Sequence, residues 1–200
     1  FSSSRDNKPL DIKEAHTDSA VNITVVNDEN APRVRMLQNR VRIEVFVPRK
    51  SNLKIDASGE IRIEGVSGDV ELAGSDDAIN VRDVNGMLRV NSADGRVRVI
   101  GFTGDINVES SEGSINLEGD FRTLSARSGD GSIMLTLPEQ VSADLDVTGS
   151  EVRGDGITLT RVSGDETRSK YRLRDGGRVY KIATEGAIVV RNVSAVVDVY

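Results

Sequence analysis

Two copies of one nine-residue pattern decide the fold: Gly104-Asp105-Ile106-Asn107-Val108-Glu109-Ser110-Ser111-Glu112 and Gly113-Ser114-Ile115-Asn116-Leu117-Glu118-Gly119-Asp120-Phe121. In each copy glycine stands two positions before an apolar residue, and a second apolar residue follows after one polar position. In the first copy Ile106 and Val108 flank Asn107. This alternation is typical of a short β-strand with one face buried and the other in water.

The same pattern continues without a break from residue 61 to residue 135. Nine apolar pairs recur at nine-residue intervals: Ile61/Ile63, Val70/Leu72, Ile79/Val81, Leu88/Val90, Val97/Val99, Ile106/Val108, Ile115/Leu117, Leu124/Ala126 and Ile133/Leu135. All 18 of these positions are apolar, and eight of the nine residues between the partners are polar. We therefore predict nine short strands, each with one buried face.

A turn residue precedes each pair by two positions. It is glycine in seven of the nine repeats, and the exceptions are Asp77 and Arg122. Glycine adopts the positive φ angles of sharp corners without strain, and aspartate tolerates them better than most residues. The spacing therefore predicts a corner between successive strands.

A second period, of 18 residues, distinguishes between two architectures. Val66-Ser67-Gly68, Val84-Asn85-Gly86 and Phe102-Thr103-Gly104 recur at that interval, and corners of a different composition alternate with them. An antiparallel meander would leave one face of the apolar pairs uncovered, whereas stacked coils cover like residues with like residues. The sequence therefore predicts an all-β fold, a single parallel β-solenoid with about 18 residues per coil and capping strands at both ends.

The flanks of the repeat region are expected to complete one domain. The predicted segments are a flexible N-terminal stretch (1–19) and a single solenoid domain (20–200), which comprises an N-terminal cap (20–54), the regular repeats (55–138) and a C-terminal cap with the last coil (139–200). Strand-like runs at 21–25 and 41–47 support the first cap. Residues 148–178 are expected to form loops and a hairpin.

The chain is then expected to return to the stack. Gly186-Ala187-Ile188-Val189-Val190 restates the repeat pattern, and residues 196–200 read as a final edge strand.

Several of these motifs together resemble a bacterial family. They are the strand that ends in Val47-Pro48, the Leu53-x-Ile55 pair, the Gly-Asp/Ser-Ile-x-Val repeats and the closing segment 182–190. The chain resembles the "putative adhesin" domains of unknown function, relatives of the β-helical head domains of autotransporter adhesins. The resemblance implies a right-handed β-helical fold and an exported or membrane-anchored setting. It supplies no catalytic residues.

Composition excludes several classes of function. The 200 residues include no Cys, no Trp and a single histidine, His16, which removes disulfide scaffolds, thiolate chemistry and multi-histidine metal sites within one chain. The formal net charge of −6 argues against nucleic acid as a partner. No apolar run is long enough for a membrane-spanning helix, and the start at Phe1 leads us to expect a native signal or anchor outside this sequence.

Calcium binding and polysaccharide cleavage, two chemistries of β-helical proteins, are the alternatives to a plain solvated surface. Calcium-binding nonapeptides place an aspartate at the turn position, but glycine occupies that position in seven of the nine repeats here, and Asp69 and Asp105 fall one residue later. Polysaccharide cleavage needs paired carboxylates, and no two carboxylates are stacked in successive coils of either outward ladder, which are Arg62, Asn80, Arg98, Asn116, Met134 and Glu71, Arg89, Asn107, Ser125. We therefore predict no metal, no cofactor and no enzymatic activity.

One localised feature is basic. Residues 55–138 hold 7 Lys and Arg against 15 Asp and Glu, whereas six cations and one acid lie between residues 168 and 181. The predicted binding patch consists of Arg168, Lys170, Tyr171, Arg172, Arg174, Arg178 and Lys181. Such a patch suits an anionic glycan, a cell-envelope polymer, lipid head groups or an acidic envelope protein. The alternative is an edge hairpin whose cations deter strand pairing or neutralise the acidic repeats.

These observations favour a non-enzymatic module of the bacterial cell envelope. We expect it to be extracytoplasmic (periplasmic, cell-surface or secreted) and to act as an adhesin or interaction scaffold. Two alternatives stay open. One is an envelope-stress or assembly accessory that binds a membrane protein, and the other is a carbohydrate-active β-helix.

Overall fold

The computed structural model describes residues 10–17, 21–27, 42–149, 151–165 and 167–193. The chain divides into two compact units, Phe1–Val47 and Pro48–Tyr200. The regular repeats and the predicted C-terminal cap lie in the second unit, and the predicted N-terminal cap, 20–54, spans the division. The predicted boundaries of a single domain stay a prediction.

Sixteen β-strands, and no helix, occur in the described part of the chain, so the all-β class is confirmed. The strands are β1 (Leu10–His16), β2 (Val21–Asn27), β3 (Leu53–Ala57), β4 (Ile61–Glu64), β5 (Ser67–Gly74), β6 (Ile79–Arg82), β7 (Asn85–Ser92), β8 (Val97–Ser110), β9 (Ile115–Ser128), β10 (Ile133–Leu137), β11 (Ala143–Thr148), β12 (Glu151–Asp155), β13 (Leu159–Gly164), β14 (Arg168–Leu173), β15 (Arg178–Ala183) and β16 (Ala187–Asn192).

The first unit contains an antiparallel hairpin. Strand β1 pairs with β2 from Leu10 opposite Asn27 to His16 opposite Val21. The flexible stretch expected over 1–19 therefore includes a strand. The strand expected at 41–47 is not found, because residues 42–48 form no ladder and are exposed. Alternation alone does not make a strand when no neighbouring strand accepts its backbone hydrogen bonds.

Two series of parallel pairings organise the second unit. Series A begins with β3, β5, β7 and the second halves of β8 and β9, and series B begins with β4, β6, the first halves of β8 and β9, and β10. Within each series a residue of the nine apolar pairs faces the one 18 positions later, as Ile79 faces Val97 and Leu88 faces Ile106. Strands β8 and β9 take part in both series and join them into one sheet.

The apolar pairs form the core. All 18 positions of the nine pairs are at most 5% exposed, so the prediction that they face the interior is confirmed. Aromatic rings extend this core at one corner, where Phe102 stacks on Phe121 at 5.9 Å and Phe121 meets the edge of Tyr180 at 6.3 Å. Ser92, Ser110, Ser128 and Thr184 are also buried, and their hydroxyl groups hydrogen-bond to backbone atoms of the other corner.

Glycine is required at the two kinds of corner for different physical reasons. Gly68, Gly86 and Gly104 have φ angles between 130° and 149°, as a corner that needs glycine requires. Gly113 has no such φ, but a Cβ atom there would overlap the carbonyl oxygen of Gly95 in the preceding coil. At the second kind of corner the reason for glycine is therefore close backbone approach and not a positive φ angle. At the exception Arg122, β9 carries one extra residue and the register shifts.

The C-terminal strands enter the sheet out of chain order. Strand β15 lies between β9 and β11, and β16 lies between β10 and β12. The expected return of the chain is thus seen at residues 178–192, but as an insertion between earlier strands. The predicted edge strand at 196–200 lies outside the described residues.

The sheet is mixed rather than purely parallel. Strand β14 runs antiparallel to both β11 and β13, and it ends series A together with β13. The short connection after Gly164 explains this direction, because only antiparallel strands can be joined by a tight turn. The Asp165 carboxylate accepts hydrogen bonds from the backbone N–H groups of Thr167 and Arg168 and fixes that turn.

Candidate functional site

The predicted basic patch is carried by strand β14, the turn after it and strand β15. Along β14 the side chains of Arg168, Lys170 and Arg172 are exposed, whereas Ser169 and Tyr171 are half-buried and Leu173 is buried. The cations therefore share the outer face of the strand, as the alternation predicts. Tyr171 does not belong to this surface, because its ring packs against the core.

Two aspartates of the neighbouring strand β11 neutralise two of these arginines. The Arg168 guanidinium binds Asp146 with two hydrogen bonds of 2.9 and 2.6 Å, and Arg172 Nε donates to Asp144 at 3.0 Å. The pKa of Asp146 is lowered mainly by the hydrogen bond from Arg168. The pKa of Asp144 is lowered by the backbone N–H of Gly177 and then by Arg172.

Arg174 and Arg178 bind backbone oxygens that lie outside β14. Arg174 donates to the carbonyl oxygen of Val141 at 2.7 Å. Arg178 donates to the carbonyl oxygen of Phe121 at 2.9 Å and forms an ion pair with Asp120. Both side chains are therefore engaged in holding the C-terminal strands to the rest of the unit.

Lys170 and Lys181 are the two remaining cations of the predicted patch. They lie on either side of Asp146, which faces Lys170 on β14 and Lys181 on β15. Both are exposed, and neither forms an ion pair with any residue that the structure describes. Since Arg168 already holds Asp146, the two ammonium groups are available to an external anion.

The outer face of series A is divided into a basic and an acidic half. On β9, β15, β11 and β14 the charged residues of the series A strands carry a net charge of +4, from Arg122, Arg127, Arg168, Lys170, Arg172, Arg178 and Lys181 against Asp120, Asp144 and Asp146. On β3, β5, β7 and β8 the outward positions carry −3, from Lys54 and Arg89 against Asp56, Asp69, Glu71, Asp105 and Glu109. We call the first set the basic half.

Two aspartates that were not predicted from the sequence hold the patch together. Asp144 and Asp146 alternate with the buried residues Leu145 and Val147, in the same pattern as the repeats. That pattern was a sufficient signal for an outward-facing pair, but which strand lies beside β14 depends on the inserted position of β15.

The remaining features concern metal ligands, membrane-spanning helices and cavities. Within the described ranges no three His, Cys, Asp or Glu side chains lie close enough to hold a metal ion. The side chain of His16 is outside the described part. No helix that could cross a membrane occurs among the residues searched. A shallow depression of about 300 Å³ lies beside Lys54, Asp69 and Arg89 and opens widely to solvent.

Comparison with known proteins adds one weak similarity. No family model matches the chain, and no curated protein matches it. The chain is similar to the crystal structure at 1.95 Å resolution of a "putative cell adhesion protein" from Clostridium sporogenes ATCC 15579. The TM-score is 0.31 and the identity 15%, over 96% of this chain and 80% of the other. Because that score is low, the similarity carries no argument, and the predicted family membership stays a prediction.

Proposed function

We propose that the protein is a non-enzymatic, extracytoplasmic interaction module of the bacterial envelope. Its scaffold is a capped, right-handed parallel β-solenoid, and an anionic partner docks on the basic half around Lys170 and Lys181. The observation that carries this proposal is the pair of exposed ammonium groups without ion pairs among the described residues, on a face of net charge +4 in a chain of net charge −6.

The pairing register supports the solenoid. In a solenoid each strand lies beside the equivalent strand of the next coil, so the register repeats at the coil length. Leu88, Ile106 and Leu124 face one another in this way along series A, and Ile79, Val97 and Ile115 do so along series B. Coils that alternate between the two series explain why the apolar pairs of both series meet in one core.

The carboxylates of β11 favour binding over hydrolysis. Asp144 and Asp146 are two residues apart on one strand face, a spacing of about 7 Å, which is within the range of glycosidase carboxylate pairs. Such an enzyme needs one of its two carboxyl groups protonated, with a raised pKa. Here the pKa of both groups is lowered, and both carboxylates bind arginine.

The two interpretations of the patch apply to different residues. The ion pairs favour the alternative role for the arginines, because Arg178 binds Asp120 of the acidic repeats, while Arg168 and Arg172 bind Asp146 and Asp144 of β11. The lysines have no such role among the described residues. A long ammonium side chain on an open strand face suits a flexible or extended anionic partner through charge rather than shape.

The experiment compares the protein with its Lys170→Gln/Lys181→Gln variant on arrayed glycans, cell-wall polymers and anionic lipid vesicles. We expect saturable, salt-sensitive binding to one class and about tenfold weaker binding by the variant, because two exposed charge contacts are lost. Replacement of the arginines would be a poor test, since it would leave the two aspartates of β11 unpaired.

Lys54→Gln is the matched control, because this exposed lysine lies in the acidic half and pairs with Glu71 at 2.8 Å. It should leave binding unchanged. Absence of binding to all three classes would overturn an anionic polymer or lipid as the partner and leave an envelope protein as the candidate to test by crosslinking.

The extracytoplasmic setting is a separate part of the proposal and rests on the sequence resemblance described above. Fractionation of cells that produce the full-length protein tests it. Recovery in the periplasm, on the surface or in the medium is expected, and recovery in the cytoplasm would contradict it.

A further inference from the structure

A second ladder of polar side chains runs across the outer face of series B. Arg62 on β4 faces Asn80 on β6, Asn80 faces Arg98 on β8, and Arg98 faces Asn116 on β9. Guanidinium and carboxamide groups therefore alternate from strand to strand. Neighbouring strands are about 4.8 Å apart, so like groups recur at about 9.6 Å along the ladder.

Further arginines widen this ladder into a patch. Arg82 lies two positions after Asn80 on β6, and Arg96 lies one residue before β8 and two positions before Arg98; both are exposed. Arg82, Arg96 and Arg98 form no ion pair with any described residue, whereas Arg62 pairs with Glu60 at 3.1 Å.

The acids on these strands leave the patch positive. As far as the structure describes them, the outward positions of β4, β6 and the first half of β8 carry one carboxylate, Glu64, against Arg62, Arg82 and Arg98, while Glu60 and Arg96 lie one residue before β4 and β8. Glu64 faces Arg82 across the ladder without an ion pair between them. Glu118 lies on β9, one strand further along. A net charge of +2 on three adjacent strands stands out in an acidic chain.

The carboxamides are open to a ligand. Asn80 Nδ2 donates to Glu60 at 2.9 Å, which leaves its amide oxygen without a partner among the described residues. Asn116 is half-exposed, and its side chain has no hydrogen bond to the residues described. An amide both donates and accepts hydrogen bonds, so it matches a hydroxyl group, while a guanidinium group matches a carboxylate or sulfate.

We propose that this ladder is a binding surface for an acidic polysaccharide that lies across strands β4, β6, β8 and β9. Its carboxylate or sulfate groups bind Arg98, Arg82 and Arg96, and its hydroxyl groups bind Asn80 and Asn116. The site is separate from Lys170 and Lys181 and does not depend on them. The exposed strand face that carries Arg62, Arg82 and Arg98 suits an extended polymer better than a small molecule.

The positions of the aromatic and exposed apolar residues argue against single-stranded nucleic acid and against a membrane surface as the ligand. Single-stranded nucleic acid is bound largely through stacking on exposed aromatic rings, and here Phe102, Phe121 and Tyr180 are buried. A membrane surface would be favoured by exposed aromatic or apolar residues beside the cations. None of the large exposed apolar residues found in the described chain lies on β4, β6 or β8.

The experiment measures binding of fluorescently labelled polygalacturonate, a carboxylate polysaccharide, to the protein by anisotropy, with neutral dextran as the comparison. We expect salt-sensitive binding of polygalacturonate and none of dextran. Arg82→Gln/Arg98→Gln should weaken binding about tenfold, because two charge-assisted contacts are lost. The control Arg153→Gln/Arg191→Gln alters arginines at the far end of series B, which already bind Glu151 and Thr136, and should have no effect.

Polyphosphate, which has charges but few hydroxyl groups, separates a glycan site from a general anion site. Asn116→Ala should weaken polygalacturonate binding about threefold, the value of one modest hydrogen bond, and leave polyphosphate binding unchanged. Equal effects on the two polymers would overturn the assignment to a polysaccharide. Thermal melting checks that each variant folds, and side-chain amide NMR signals of Asn80 and Asn116 report binding in the unaltered protein.

Three further results would overturn the inference. They are an absence of polygalacturonate binding, binding without perturbation of the two amide signals, and loss of binding in Lys170→Gln/Lys181→Gln with retention in Arg82→Gln/Arg98→Gln. The last result would place the ligand on the basic half and so support the proposed function while removing the second site.

Discussion

The regular repeats and the C-terminal strands bury similar apolar pairs, yet the order in which their strands pair is different. In residues 61–135 each strand lies beside the strand one coil later in the chain. In residues 143–192 the strands do not follow chain order, because β15 lies between β9 and β11, and β16 lies between β10 and β12. A contact such as Arg191 to Thr136 joins residues 55 apart.

A strict period therefore determines which strands are partners, whereas an apolar pattern without a period determines only which face of a strand is buried. In the repeats the next coil presents equivalent residues at once, so local spacing is enough. After Pro138 several strands have the same alternation, and the packing of the whole unit selects among them.

A substitution in the inserted strand should have the largest effect. Ile182 is 2% exposed and lies between Ala126 on β9 and Val147 on β11. Ile182→Asp buries an unpaired carboxylate, so we expect the free energy of unfolding to fall by about 4 kcal/mol or more. Urea unfolding measures the loss, and Lys181→Gln on the outer face of the same strand should change it by less than about 0.5 kcal/mol.

Hydrogen exchange on the same variant tests the comparison between the regions. We expect amides of β11 and β14 to lose protection with β15, because β15 joins them to β9, and amides of β5 and β7 to keep it. Equal loss in both regions would mean that the unit opens as a whole and that the inserted strands do not separate the two.

A glycine substitution in the repeats comes second. A Cβ at Gly104 would overlap the carbonyl oxygen of Gly86, and its φ of 133° disfavours any other residue. We expect Gly104→Ala to lower the free energy of unfolding by about 3 kcal/mol. Gly59 is the control, since a Cβ there meets nothing within 4 Å, and Gly59→Ala should be neutral or stabilise by about 0.5 kcal/mol. Similar losses for both would show that stacking of coils is not what requires glycine.

The smallest effect concerns acid titration. The Arg122 guanidinium and the Thr123 hydroxyl hold the pKa of Asp105 at about 2, so the ionised carboxylate stabilises the fold above its ordinary pKa of about 4. This contribution is lost as the pH falls toward about 2. We expect Arg122→Gln to raise the pKa of Asp105 toward its ordinary value, as an NMR titration of the carboxyl group measures.

Asp165 in the C-terminal region provides the contrast to Asp105. Its pKa is also about 2, but backbone N–H groups of Arg168 and Thr167 are the main cause. Arg122→Gln should leave the pKa of Asp165 unchanged. Arg127→Gln should leave the pKa of both aspartates unchanged, since Arg127 is an exposed cation without an ion pair among the described residues. A common shift of both groups would indicate a general loss of structure.

The candidate site was predicted in part. Alternation was enough to place Arg168, Lys170 and Arg172 on one outer face. It could not show that Arg168 and Arg172 are engaged, because their partners Asp146 and Asp144 belong to a strand more than twenty residues earlier in the chain. The ladder from Arg62 to Asn116 was visible in the sequence as a list of outward residues, and the structure adds that Arg82 and Arg96 flank it.

The sequence by itself determined which residues are buried and the spacing of the corners, because side-chain alternation and an unbroken nine-residue period are local properties of the chain. Only the tertiary structure decided the place of β15 and β16, the antiparallel direction of β14, and which cations remain without internal partners. Those features depend on contacts between residues far apart in the chain, where several arrangements satisfy the same local pattern and the packing of the complete core selects one.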